Sequence, residues 1–223
     1  MYGVNSNNRL KVRISLDGTT MTYDLLPGKV SYFPLQLGNG EYTFKIYQEI
    51  NNSGKYTTVH SEKINVYIPD ELMIYKASIV NIYWTPEMAA IVFAYDRTSA
   101  TKYEWDMVRE IYQYIVERYR YDYEKLAKIQ NLDPGYIPNV VIVFKDLKLI
   151  CYDYSVLFAS MLRSLDIPAR MVTGYAAGMD GYHSWNEVYN LDTGRWVVMD
   201  LTHDAAFFEW GKTYEMEKDL PQA

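Results

Sequence analysis

The chain is poor in cysteine: Cys151 stands alone among 223 residues. One thiol forms no intrachain disulfide, so the fold must rest on packing. A single cysteine with three scattered histidines also lacks metal-ligand spacing, and no metal or other cofactor is expected. No apolar run approaches the roughly 20 residues that a bilayer-crossing helix requires, so no membrane span is expected. Met1 is not followed by a basic and then apolar leader pattern. Excess positive charge is missing too. The formal net charge is −6, which speaks against a nucleic-acid partner and against an anionic membrane surface. Phenylalanine is scarce, with 7 against 23 tyrosines. Tyrosine buries its ring and keeps its hydroxyl wet, so this bias suits sheet faces and open grooves.

What is present is ample apolar material, 49% of the residues. At this length that is enough for one large domain or two small ones. Residues 1–70 read as a small, all-β, sandwich-like module. Leu10, Val12, Ile14 and Leu16 alternate with polar residues, the period of a strand with one dry face. Asp17-Gly18 signals a hairpin into Met21, Tyr23 and Leu25. Pro27-Gly28 marks a turn, and Val30 to Leu37 reads as an edge strand because of Pro34. Tyr42, Phe44 and Ile46, then Val59, Ile64, Val66 and Ile68, continue the series.

Residues 71–223 change period and read as a mixed α+β core. Thr85-Pro86-Glu87 has the signature of a helix start. Val108, Ile111, Ile115 and Tyr119 form the apolar stripe of a longer helix from about Lys102 to Tyr121. Asn131 to Pro138, with Pro134-Gly135, is a loop. Val140 to Phe144 reads as a short β-like run, and Lys212 to Ala223 as a frayed tail.

The chemistry concentrates between Lys148 and Thr202. Ser155 to Leu165 has a helical pattern, with Cys151 at or just before its first turn. Unpaired N–H groups and the positive dipole end gather there, an environment that lowers a thiol pKa and supplies oxyanion donors. Three β-like runs follow: Arg170 to Tyr175, Ser184 to Tyr189 and Trp196 to Leu201. Asp192-Thr193-Gly194 joins the last two as a hairpin. That hairpin brings His183 close to Asp200, so the three residues form a candidate nucleophile, base and orienting carboxylate. His60 reads as an ordinary strand or loop histidine. His203 is the rival base, expected to point elsewhere from the strand end.

Four blocks together resemble the transglutaminase-like superfamily of papain-like cysteine enzymes. CYDYS with MLRSLDIPAR is similar to the cysteine helix and its exit, and MVTGY to the strand that follows. YHSWNEVY is similar to the histidine strand, and RWVVMDLT to the aspartate strand. The resemblance implies a papain-like core of a cysteine helix packed on an antiparallel sheet, with the β-module preceding it as in some secreted bacterial members. It implies Cys151 as nucleophile, His183 as base and acid, and Asp200 as orienter. Trp185 would line the acyl groove, Tyr182 beside the histidine would contact substrate, and Tyr136 would donate to the oxyanion. Two family glycines are replaced here, by Leu149 before the cysteine and by Asp166 before the IPAR segment. Leu149 is expected to narrow access to the thiol, and Asp166 to cost backbone freedom.

The implied activity is thiol-dependent acyl transfer at a carboxamide or peptide bond through a thioester, either as a protease or amidase or as a protein-glutamine transglutaminase. The expected partner is a protein or peptide, a cell-surface or cell-wall peptide among the options. The expected location is secreted or cell-surface, with the cytoplasm as the alternative. The competing reading is a catalytically degenerate scaffold that serves as a surface binding or adhesion module.

Overall fold

The computed structural model describes residues 8–25, 28, 30–132, 135–176 and 181–217. Pro27 of the expected turn, Pro134 of the expected loop and the end of the tail lie outside the described residues. The chain divides into two compact units, Met1–Ile74 and Tyr75–Ala223.

The first unit is one antiparallel sheet. Strands β1 (Leu10–Leu16), β2 (Thr19–Leu25), β3 (Gly40–Glu49) and β4 (Tyr56–Val66) take the order β2-β1-β3-β4. The alternation seen in the sequence is realised in β1, whose Leu10, Val12, Ile14 and Leu16 are all buried. Asp17 and Gly18 both adopt positive φ, 47° and 82°, as the tight hairpin between β1 and β2 demands. The 30–37 segment makes no strand. It lays Phe33, Leu35 and Leu37 against the buried side chains of the sheet and so supplies the second layer itself. Tyr42 pins that layer. Its hydroxyl accepts the Leu37 N–H at 3.0 Å and lies 2.9 Å from the Leu35 carbonyl and 2.7 Å from that of Gly38.

In the second unit, helices α1 (Ala89–Thr98), α2 (Glu104–Arg118), α3 (Tyr123–Leu132), α4 (Val140–Lys145), α5 (Cys151–Ser164) and α6 (Leu201–Glu209) surround two small sheets. A parallel ladder joins β5 (Arg120–Tyr121) to β6 (Lys148–Leu149), and an antiparallel sheet holds β7 (Ala169–Tyr175), β8 (Tyr182–Asn190) and β9 (Arg195–Met199). Every α5 residue except Tyr152 is buried. A helix covered on nearly all sides is the centre of its domain rather than a surface element. Several of its buried polar groups are paired, while the Tyr154 and Ser160 hydroxyls have no hydrogen-bond partner among the described residues. Arg163 donates to the Ala169 and Ala77 carbonyls at 2.8 Å, and burial lowers its pKa to about 10. Asn186 of β8 donates to the Ser155 carbonyl at 3.0 Å, which ties the sheet to the helix.

The second unit departs from the sequence expectations in four places. Val140–Lys145 is helical, although its β-branched run favours a strand. The Asn139 side chain accepts the Val141 and Ile142 N–H groups at 3.0 and 3.4 Å, and this cap overrides the local propensity. The chain after Met199 starts α6 instead of extending the strand to Leu201. The first helix begins at Ala89, a turn later than Thr85-Pro86-Glu87 suggests. The described part of the tail is docked, with Tyr214 and Met216 packed on the core and Glu217 accepting from the Trp105 indole at 3.1 Å.

Candidate active site

Cys151 is the first residue of α5, and Ile150 before it is extended (φ −93°, ψ 168°). The first amides of a helix have no acceptor within it, so this end presents N–H groups and a positive dipole beside the thiol. The Ile150 N–H itself is satisfied by Asp153 Oδ2 at 3.0 Å, a carboxylate folded back over the helix start. Leu149, at the position flagged for crowding the thiol, is fully buried among the core side chains. Asp166 pays for the missing glycine with a positive φ of 64°, and its carboxylate meets Lys76 Nζ at 2.9 Å.

The hairpin delivers the other two residues. Gly194 closes the turn with its N–H on the Asn190 carbonyl at 2.8 Å, and Asn190 Oδ1 accepts the Asp192 and Thr193 N–H groups. The ladder pairs Asn186 with Met199, and Asp200 follows at once. Its Oδ1 caps α6 by accepting the His203 N–H at 3.1 Å, while its Oδ2 lies 2.8 Å from His183 Nε2. One buried carboxylate thus fixes both a helix start and a histidine ring. A carboxylate accepts, so Nε2 carries the proton and the far ring nitrogen is left for another partner.

Cys151 is the other group that bears on the ring. Burial lowers the His183 pKa, but hydrogen bonding and charge from Asp200, together with hydrogen bonding to Cys151, outweigh it and raise the pKa from 6.5 to about 9. His183 is 7% exposed and Cys151 8%. Trp185, two places along β8 and on the same strand face, lies nearly parallel to the imidazole, with ring centroids 6.1 Å apart and planes at 21°.

Two of the remaining sequence candidates are placed otherwise than expected. The Tyr136 phenol donates to Asp153 Oδ1 at 2.6 Å. Burial and that bond push its pKa up, and its single proton is committed to the carboxylate rather than to an oxyanion. Tyr182 is 65% exposed and donates to Thr173 Oγ1 at 2.9 Å. By strand alternation it stands on the face opposite His183. His203, the rival base, pairs with Asp204 at 3.2 Å.

The sequence reading missed Tyr121. The β5–β6 ladder pairs it with Leu149, and its phenol reaches Cys151. Burial raises the Tyr121 pKa first, the charge and hydrogen bonding of the thiol add to that, and a hydrogen bond with the Cys151 backbone offsets part of it. The phenol therefore stays protonated. Among the described residues no cluster of His, Cys, Asp and Glu has the makings of a metal site, and no helix is long and apolar enough to cross a membrane. A cleft of about 440 Å³ lies close by, with Lys125, Lys128, Tyr136, Asn139 and Ile142 in its wall.

A profile of the transglutaminase-like superfamily matches residues 90–201, the span from α1 to the start of α6. No curated protein matches the sequence. Three solved structures are similar at low identity. A candidate cysteine protease from Cytophaga hutchinsonii is 14% identical, with a TM-score of 0.46, over 86% of this chain and 71% of that one. Red sea bream transglutaminase is 13% identical, with a TM-score of 0.36, over 86% of this chain and 45% of that one. A candidate protease from Parabacteroides distasonis is 13% identical, with a TM-score of 0.41, over 96% of this chain and 43% of that one.

Proposed function

Since the chain belongs to the transglutaminase-like superfamily, we propose that it is a thiol enzyme acting on the carboxamide or peptide carbonyl of a protein or peptide, with Cys151 as nucleophile, His183 as base and acid, and Asp200 as orienter. The observation that carries this reading is the 2.8 Å contact of Asp200 with His183 Nε2, with Cys151 bearing on the same imidazole. A raised imidazole pKa beside a thiol at a helix start favours the thiolate–imidazolium pair that nucleophilic attack needs.

The steps follow from this arrangement. The thiolate attacks the carbonyl carbon, and the carbonyl oxygen becomes an oxyanion. Candidate donors to that oxygen are the N–H groups at the start of α5 and the Tyr121 phenol. The C–N bond then breaks as His183 gives its proton to the leaving nitrogen, and a thioester remains. A water molecule, deprotonated by His183, attacks the thioester. The acid product leaves and the thiol is restored. Replacing that water with a primary amine gives transamidation by the same route, and hydrolysis is the preferred reading. Asp200 holds Nε2–H throughout and stabilises the imidazolium.

The test is turnover of glutamine-bearing peptides, followed as ammonia release and by the mass of the product, with and without an added primary amine. Wild-type protein is expected to release ammonia and Cys151→Ala to release none. Undiminished turnover by Cys151→Ala would sink the proposal. An acid product in the presence of amine supports hydrolysis, and an amine adduct supports transamidation.

A further inference from the structure

Asp153 sits in the same helical turn as Cys151, is completely buried, and is not used by the proposed chemistry. It receives three donors. Its Oδ2 takes the Ile150 N–H at 3.0 Å and the Lys125 ammonium at 2.7 Å, and its Oδ1 takes the Tyr136 phenol at 2.6 Å. The amide and the phenol are dipoles and leave the formal negative charge in place. Lys125 alone cancels it. An uncancelled buried carboxylate one helical turn or less from a thiolate would repel it and oppose the helix dipole. Lys125 is held for the task. It lies in the first turn of α3, where Asp122 Oδ1 caps its own N–H at 2.9 Å, and its ammonium stands 5.1 Å over the Tyr136 ring.

We propose that Lys125 is a positioning residue for the Cys151 nucleophile. It acts through Asp153, fixing the carboxylate that caps the cysteine helix and balancing its charge. The inference rests on the reading of Cys151 as nucleophile. The other groups that bear on the thiol are His183 from β8, Tyr121 from β5 and Asp200 behind His183. Around Asp153 stand Tyr136, Tyr152 of α5 and, facing Tyr136, Asp146 at the end of α4. Of these only His183, when protonated, is a cation; Lys128 of α3 lines the same cleft as Lys125 and Tyr136, and Lys125 is the cation seated on Asp153 at 2.7 Å.

The experiment is the rate of iodoacetamide alkylation of Cys151 from mildly acidic to alkaline pH, which reads the one thiol of the chain without needing a substrate. Lys125→Met is expected to alkylate about tenfold more slowly at mildly acidic pH, equivalent to a displacement of one pH unit. At alkaline pH it is expected to match the wild type. Lys125→Arg restores the wild-type profile. Lys125→Met with Asp153→Asn, which removes both charges, moves back toward it, whereas a purely structural role makes the double variant worse. Lys125→Gln keeps a donor for Asp153 and guards against misfolding of the methionine variant. A Lys125→Gln profile that coincides with the wild type overturns the assignment. A wild-type profile that His183→Ala leaves unmoved overturns the thiol–imidazole reading instead, so the two failures are told apart.

Discussion

Replacing Asp200 with alanine removes two contacts made by one side chain, and the cost of each follows from its geometry. Loss of the α6 cap at the His203 N–H costs about 1 kcal/mol. Loss of the 2.8 Å bond leaves His183 Nε2–H buried without a partner, at about 1–3 kcal/mol. The titration of His183 supplies an independent bound. A rise from 6.5 to about 9 corresponds to roughly 3 kcal/mol in favour of the folded state, shared between Asp200 and Cys151. Because the folded pKa is raised, this stabilisation is complete below about pH 6.5 and is lost as pH climbs through about 9. The Asp200→Ala protein should therefore melt on the order of 10 °C below the wild type at pH values where His183 is charged. Above its titration the gap should shrink to the cap and the neutral hydrogen bond. The assay pairs thermal melts across pH with NMR titration of the His183 ring, which should fall from about 9 toward or below the ordinary value. A His183 that still titrates near 9 in Asp200→Ala, or a melting gap that does not change with pH, would refute the reasoning.

Two further predictions concern single hydroxyls. Tyr121→Phe should lower kcat/KM by about 10- to 100-fold while leaving the melting temperature nearly unchanged, the signature of a lost oxyanion donor. Equal rates for the two proteins would remove Tyr121 from the mechanism. Tyr42→Phe should destabilise the N-terminal unit by about 1 kcal/mol, since the half-buried Leu37 N–H loses its acceptor. A variant whose denaturation curve overlays the wild type would count against the pin.

The residues that bear chemistry by type were legible in the sequence. The places of Cys151 before an apolar helical run and of His183 and Asp200 about a hairpin followed from period, turn residues and spacing, and their roles from the family resemblance. The β1–β2 hairpin and the α2 stripe were legible for the same reason, that local pattern and tertiary burial agree. The misreadings have separate physical causes. Val140 to Phe144 has strand propensity, and a single asparagine cap decides against it. Asp200 reads as a strand end because its capping role shows only once the His203 N–H is seen to reach it. The 30–37 segment carries strand-like residues but finds no ladder partner. Tyr121 is invisible for a different reason. It is one of 23 tyrosines, on a strand of two residues, and what singles it out is a parallel pairing with a residue far along the chain.

That pairing has a consequence for how the protein assembles. Two ladder positions cannot hold themselves together in water. The β5–β6 contact runs through the Arg120 N–H on the Leu147 carbonyl at 3.0 Å and the Asp122 N–H on that of Leu149 at 2.9 Å. It joins the end of α2 to the start of α5, segments separated by a long stretch of chain. Closing that separation costs entropy that only docking of both helices repays. Tyr121 is therefore expected to reach the thiol only after the helical framework has formed. In a refolding experiment helical circular dichroism should return first, and the environment of Cys151 should follow. A chain that has recovered its secondary structure has not yet closed this contact, and the lone thiol tells the two states apart.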